Sequence, residues 1–492
     1  MALTRKIARY LSIAVITVLA TLIVVRIVAT RNAPPLQRWH TQAPKELSIE
    51  VIERSDWNAY LAAEQRAFDE VRREVTDPLP EQEKVAVNRY YAQSPLYPAN
   101  LTHDWNRSFV LEPEGTPVGA VVLLHGLSDS PYSLRHVADH YRDHGYVAVA
   151  IRLPAHGTVP AALVDVQWRQ WRAATRLAMR EARRRAGPGK PLHLVGYSTG
   201  ASLAVDYSLD ALEDPALARA NRLVMISPMI GVRGFARYAG IAGWPAILPR
   251  YARTAWMDLL PEFNPFKYSS FPLNAARQAY LLSDRVQTRM SELAVARRLD
   301  DLPPILCFQS VTDSTVSAPS VVSALFDKLP ANGSEIVLFD VNRTVHFGPL
   351  LDPSADTALE RLLTPGPRRY RLSIIGNLAP DSDAAVARTT EAGRTDAHMQ
   401  PLGLTYPANV FSMSHVALPF PVTDSLYGSA PDPAENYGVN LGAIALRGER
   451  GTFAVSMDNM TRVTFNPFFP YVLQRIDAGL ADPAPSRHDE GG

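Results

Sequence analysis

Cysteine is almost absent. Cys307 is the only one in 492 residues, so no internal disulfide can form and the fold must stand on packing alone. An excess of either charge is lacking too: 50 Lys and Arg face 49 Asp and Glu, a formal net charge of +1. Basic residues gather only in Arg180-Glu181-Ala182-Arg183-Arg184-Arg185. That run closes a helical pattern, where positive charge complements the helix dipole, and no nucleic-acid partner is expected. No Gly-rich phosphate loop follows a strand, and no His, Asp or Glu group shows metal-ligand spacing, so neither a cofactor nor a metal is expected. Cys307 sits inside an apolar run and reads as a buried, inert thiol. What remains is the composition of a globular protein, 47% hydrophobic and 20% charged, with room for one large domain with insertions or for two ordinary ones.

One long apolar run is present, at the N-terminus. Arg5, Lys6 and Arg9 precede Tyr10 to Val25, and Ile27 to Ala29 extend the run past Arg26. With Arg26 snorkelling to the interface this is about long enough to span a bilayer. No small-x-small cleavage site follows. The expectation is a single-pass anchor over residues 1–30 in an inner, cytoplasmic membrane, with its basic end inside and the body on the periplasmic or extracytoplasmic side. Residues 31–106 read as a Pro-rich tether and a pre-domain. Within it, Leu47 to Val75 has helical spacing, with Trp57, Tyr60, Leu61, Phe68 and Val71 as the apolar stripe.

From Arg107 the pattern alternates regularly between strand and helix, which predicts an α/β fold around a mostly parallel sheet. Strands are expected over Ser108 to Leu111, Ala120 to Leu124, Tyr146 to Leu153, Leu192 to Tyr197, Arg222 to Ser227, Ile305 to Gln309 and Glu335 to Asp340. Helices are expected over Leu134 to Tyr141, Trp168 to Arg185, Ala201 to Leu212 and Val322 to Leu329. The α/β domain is expected over 107–478, with a cap insertion over about 228–304 and a Pro- and charge-rich tail over 479–492.

The most informative stretch is Leu192-His193-Leu194-Val195-Gly196-Tyr197-Ser198-Thr199-Gly200. A short apolar strand runs into Gly-x-Ser-x-Gly and then into the pattern of a buried helix, which is the context of a nucleophile elbow. Small neighbours let strand and helix close around a strained serine, and the helix N-terminus behind it favours negative charge.

With the serine after the strand that follows a long helix, this order resembles the α/β-hydrolase superfamily, and in detail its bacterial esterases and lipases. The resemblance covers roughly Arg107 to Pro349. It implies Ser198 as nucleophile, followed in the chain by an acid and then a histidine. It also implies oxyanion donors at the backbone N–H groups of Leu127, after His125-Gly126, and of Thr199. His125 and His156 then brace loops. The acid is expected at Asp313, where the strand Ile305 to Gln309 gives way to a polar loop and Asp-x-x-Val. A weaker rival stands at Asp381 and Asp383, after Leu372 to Ile375.

Two histidines compete as base. His346 follows the strand Glu335 to Asp340, a usual position for this fold. His415 comes much later, in Ser412-Met413-Ser414-His415-Val416-Ala417-Leu418-Pro419-Phe420-Pro421. Small neighbours and a Pro-fixed exit there suit a base that must be held in place, and the block resembles a C-terminal one in bacterial membrane-linked esterases. His415 is the preferred base and His346 the alternative; the first choice makes Asn342 to Tyr406 an insertion.

The expected cap carries Phe235, Tyr238, Trp244, Tyr251, Trp256, Phe263, Phe266, Tyr268 and Phe271. These rings either form an apolar acyl pocket or simply bury the insertion against the body. The expected function is hydrolysis of a small-molecule or lipid-like carboxylic ester through an acyl-enzyme. The alternatives are an acyltransferase, thioesterase or peptidase on the same machinery, or an anchored binding protein that keeps only the fold. Nothing in the chain names a protein partner.

Overall fold

The computed structural model describes residues 5–480 apart from 8, 11, 15, 19, 22–33, 232–248, 345–352, 364 and 444–461. Its centre is a ten-stranded sheet. In chain order the strands are β1 (Phe109–Leu111), β2 (Gly119–Leu124), β3 (Tyr146–Ile151), β4 (Leu192–Tyr197) and β5 (Arg222–Ile226). A small pair, β6 (Trp256–Asp258) and β7 (Phe271–Pro272), stands apart, and the large sheet resumes with β8 (Ile305–Ser310), β9 (Glu335–Phe339), β10 (Arg371–Asn377), β11 (Ala384–Thr390) and β12 (Ala397–Thr405). The spatial order is β1-β3-β2-β4-β5-β8-β9-β10-β11-β12. Every pairing from β3 to β10 is parallel, while β1, β11 and β12 pair antiparallel.

The central strands are unbroken apolar runs buried on both faces, as parallel strands between helix layers must be. Every residue of β2, β3, β4 and β8 is buried. Among the described residues, the helices that position the site and its surroundings are α1 (Ile49–Arg54), α2 (Trp57–Val71), α3 (Arg135–Asp143), α4 (Trp168–Ala186), α5 (Thr199–Glu213), α6 (Leu273–Val295), α7 (Ala318–Ala324) and α8 (Phe469–Leu480). One core cluster joins α4, α5 and α6 to one face of the sheet, including Trp171, Leu177, Leu203, Leu282 and Val286. A second joins α3 and α8 to the other through Val137, Tyr141, Val472 and Ile476. In the basic run closing α4, Arg180 and Arg184 are exposed while Glu181 is buried and paired with Arg184 and Arg185, and Arg183 donates to the carbonyls of Gly187 and Lys190 beyond the helix end.

The single helix expected over Leu47 to Val75 is two. Ser48 caps α1 by accepting from the N–H of Val51, and Asp56 caps α2 by accepting from that of Ala59. Each supplies an acceptor where a helix start has donors to spare, which breaks the run at Ser55. The pair packs beside α4, and the segment is welded to the main body by buried charge. Arg152, just past β3, bonds Glu46 at 2.8 Å and Glu64 at 3.2 Å, and Tyr60 donates to the Arg152 carbonyl. The buried Arg89 donates to the carbonyls of Asn264 and Lys267 and to Asn106.

The N-terminal expectation is corrected. Among the described residues no helix is long and apolar enough to cross a membrane. The transmembrane anchor over 1–30, the membrane as partner and the extracytoplasmic placement that followed from it are withdrawn. The run reaches the ~20 residues a span needs only by taking in Arg26 and Ile27 to Ala29, and it is interrupted by Ser12, Thr17 and Thr21.

Three strands were not foreseen as a unit. β10 extends the sheet parallel to β9, and β11 and β12 fold back beside it. β12 faces solvent along nearly its whole length and contains Pro401, so it shows no apolar alternation for a sequence reading to find. Residues 481–492 of the expected tail, and Phe235, Tyr238 and Trp244 of the expected cap, lie outside the described residues.

Candidate active site

The site stands at the carboxyl ends of the parallel strands. Among the described residues, five non-glycines have a positive φ, and four of them, Ser128, Ala155, Ser198 and Ser227, stand just beyond β2, β3, β4 and β5. Such backbone strain persists only where the surroundings hold it, and here it gathers along one edge of the sheet.

Ser198 is the turn between β4 and α5, with φ 54° and ψ −114°. Its N–H donates to the Ile226 carbonyl, and its own carbonyl accepts from Met229 and Ala201. The flanking glycines are required by contact. A Cβ on Gly196 would fall 2.4 Å from Ala201, and one on Gly200 would fall 1.9 Å from the Leu124 carbonyl oxygen. Strand, turn and helix therefore close around the serine as the sequence led one to expect.

The turn after β2 faces this elbow. At Gly126 a Cβ would touch Tyr197 and the Ser198 Cβ, so Leu127 follows directly beside the nucleophile turn. Thr199 begins α5. Among the described residues neither the Leu127 nor the Thr199 N–H has a hydrogen-bond acceptor. His125 is a brace. Its Nδ1–H donates to the Gly126 carbonyl and its Nε2 accepts from the N–H of Leu153, tying the β2 turn to the β3 turn. His156 is buried behind it, its Nδ1–H on the Pro154 carbonyl and its ring edge against Trp171. Burial holds the His125 imidazole well below its ordinary range.

Asp313 and His415 meet. Asp313 Oδ2 accepts from His415 Nδ1 at 2.9 Å, and both side chains are buried. Gln309 donates to the same oxygen at 3.1 Å, while Oδ1 takes the N–H groups of Thr315 and Val316 at 2.8 and 3.0 Å. Burial alone would raise this carboxyl. The charge and hydrogen bond of His415, with the N–H groups of Val316 and Thr315, outweigh it and hold Asp313 below the usual carboxylate range. Because Nδ1 serves Asp313, Nε2 is the imidazole nitrogen left for proton transfer. The Ser198 hydroxyl makes no hydrogen bond among the described residues, so a link from His415 to the serine is not closed in this structure.

The His415 loop is fixed from three sides. Ser310, at the end of β8, donates to the Met413 carbonyl; Ser414 donates to that of Val463; and the Tyr197 hydroxyl reaches the His415 carbonyl at 3.4 Å. Tyr197 immediately precedes Ser198, and its ring lies 5.3 Å from the His415 ring. The chain arrives there after the β10 to β12 excursion and is received by Asn342. That residue bonds the carbonyls of Phe411 and Val410 with its backbone and side chain. Asp381 and Asp383, the rival acids, belong to the exposed β10–β11 turn. His346 lies outside the described residues.

Three loop residues, Leu127, Met229 and Val316, form a small apolar cluster here with Ala279 of α6. Met229 is tied in from both ends, by its N–H to Ser198 and by its carbonyl to Ser202. Sequence reading did not single out Met229 or Gln309, since neither belongs to a motif and only the fold brings them to the site, and it gave no role to Tyr197, which fills an unspecified position of Gly-x-Ser-x-Gly. The described rings of the insertion serve packing. Phe266 stacks on Tyr132 at 4.2 Å, Tyr268 donates to the Ala155 carbonyl, and Trp256 meets His40 edge-on. The later part of the insertion is α6, whose Arg285 grips Asp206 and Asp210 of α5.

Comparison with known proteins agrees with this architecture. Residues 121–361 match the alpha/beta hydrolase family. A thermostable monoacylglycerol lipase from Bacillus sp. (strain H-257) is 25% identical over 225 residues, covering 46% of this chain and 81% of that one. Among solved structures, the metagenome-derived lipolytic enzymes LipS and LipT align at a TM-score of 0.39 and 20% identity, over 52% of this chain and 95% of theirs. A monoacylglycerol lipase from Paleococcus ferrophilus aligns at 0.35 and 16% identity, over 52% and 98%. With the parallel sheet, the strained serine turn and the family match over its central region, the chain is an esterase- or lipase-like hydrolase of the α/β-hydrolase superfamily.

Proposed function

We propose that the chain hydrolyses carboxylic esters of apolar acyl groups, with Ser198 as nucleophile, His415 as base and Asp313 as its orienting acid. The observation that carries this reading is the buried 2.9 Å bond between Asp313 and His415 Nδ1, on a loop tied through Tyr197 to the serine turn. In the first half-reaction Ser198 Oγ attacks the ester carbonyl as its proton passes to His415 Nε2. The oxygen gains a negative charge facing the Leu127 and Thr199 N–H groups, and the alcohol leaves with the proton. Water then repeats the sequence on the acyl-enzyme and releases the acid. Leu127, Met229 and Val316 supply apolar surface beside the reacting carbonyl. The Bacillus relative named for monoacylglycerols makes a monoacylglycerol the natural first substrate to try.

The test is hydrolysis of a short-chain p-nitrophenyl ester and of a monoacylglycerol by wild type and by Ser198→Ala, His415→Ala and His346→Ala. Loss of roughly 10⁴-fold or more in kcat is expected for the first two, with His346→Ala within a few-fold of wild type. If His346→Ala is the inactive histidine variant and His415→Ala retains activity, the base is misassigned.

A further inference from the structure

We infer a second site, for a divalent transition-metal ion of the zinc class, made by His140, His144 and Asp477. It lies where α8 crosses the end of α3, on elements that carry none of the proposed triad. His140 and His144 stand four residues apart at the C-terminal end of α3, with His144 as its C-cap, so their rings share one face of the helix. Asp477, 337 residues beyond His140, projects from α8. Its Oδ1 lies 2.6 Å from His140 Nε2 and 3.5 Å from His144 Nε2, and the three donor atoms all fall within 4.8 Å of one another.

The hydrogen bonding around the His144 ring is that of a ligand. His144 Nδ1 lies 2.8 Å from the His140 carbonyl, which can only accept, so Nδ1 carries the proton. In the neutral ring the Nε2 lone pair then faces the carboxylate oxygen, two acceptors with nothing between them. A cation resolves that conflict, and a backbone carbonyl on the far nitrogen is the usual way a metal-binding imidazole is oriented. Bonds of about 2.0–2.2 Å in a tetrahedral site require donors roughly 3.3 Å apart. The His144–Asp477 separation already fits, and His140 needs to withdraw by under about 1 Å. Two imidazoles with one carboxylate select zinc and its neighbours over magnesium or calcium. The fourth position is open to water. A bound ion would clamp α8 to α3, and α3 is the helix that follows the turn holding Leu127.

Sequence alone shows two histidines at helical spacing; the third donor becomes visible only when α8 docks. This corrects the expectation that no group has metal-ligand spacing.

The test uses the untagged full chain, stripped with a chelator and titrated with zinc sulfate by calorimetry and by thermal unfolding. One ion per chain and a zinc-dependent rise in Tm are expected. His144→Ala and Asp477→Asn should each weaken binding at least ~10-fold and abolish the rise. His144 is half-exposed, so its variant should keep the wild-type circular dichroism and ester hydrolysis. Absence of stoichiometric binding to wild type would overturn the proposal and leave a plain histidine–aspartate ion pair. Equal binding by wild type and both variants would overturn it too, by placing the ion elsewhere.

Discussion

At the scale of single residues, Asp313 shows how a carboxylate can be buried and yet stay charged. It takes four hydrogen bonds, one from His415, one from Gln309 and two from backbone N–H groups. Replacing it with Asn keeps the shape but removes the charge that would stabilise an imidazolium and fix its tautomer. Asp313→Asn is expected to lower kcat by ~10³- to 10⁴-fold with little change in KM, read from steady-state ester hydrolysis; a loss under about ten-fold would mean that the proposed base does not depend on it. The carboxyl also links stability to pH. Its folded value lies below the unfolded one, so its contribution is present above the unfolded value and is lost as pH falls through the folded one. Ser198, Gly196 and Gly200 were legible in the chain because a turn this tight admits few residue types. His415 was legible only as one of two options. No spacing rule locates a base that the chain reaches only after an excursion. What supports it as the proposed base is its bond to Asp313 on a loop held by Ser310, Tyr197 and Asn342, and no local pattern announces those contacts.

At the scale of elements, one of the ties that hold the C-terminal block to the first half of the sheet is a buried carboxylate. Asp424 accepts from Tyr132 at 2.8 Å, Arg135 at 2.5 Å, His136 at 3.0 Å and the N–H groups of Leu426 and Tyr427. Burial alone would push its pKa up, but the Arg135 guanidinium and the His136 hydrogen bond pull it far below the usual carboxylate range. Removing one partner of such a group leaves the other charge buried and unpaired, a loss of ~3–5 kcal/mol. Asp424→Ala should therefore lower stability by about that amount in urea unfolding. Arg135→Met with Asp424→Leu should cost much less than the sum of the single changes; full additivity would show that the pair is not coupled. The parallel strands were legible because both faces are buried and their runs are apolar. β12 was not, because an edge strand that meets water along nearly its whole length leaves no such run.

At the scale of the whole molecule, buried neutral histidines should govern acid sensitivity. Burial holds His40 and His156 down at about 4 and His193 at about 3, against an ordinary 6.5. As pH drops below about 6.5 the unfolded chain takes up protons that the folded chain refuses, so stability falls, by ~1.4 kcal/mol per pH unit for each such ring, until the folded values are passed. Asp129 works in the opposite sense. Burial, against the pull of Lys267, raises it to about 6, so over the pH range between its unfolded and folded values it offsets part of the loss. His125 and His136 are lowered in the same way, and Glu64, Asp206 and Glu262 are raised with Asp129; with the rings in the lead, urea midpoints should decline from about pH 6.5 to about 4.5. A flat midpoint over that range would show that these rings are protonated in the folded state.

The reception of the returning chain by Asn342 has one more consequence. Its N–H meets the Phe411 carbonyl at 2.8 Å, so the excursion leaves and re-enters the body at nearly one point. Between those two points β10 is built into the sheet beside β9, so it is the exposed β12 end of the excursion that ancestry could lengthen or trim without shifting the imidazole beyond it. The family match stops at residue 361, inside that excursion. A relative with a different excursion would carry its histidine at a very different offset, and alignment by offset would pair the wrong residues while the two sites stayed superimposable.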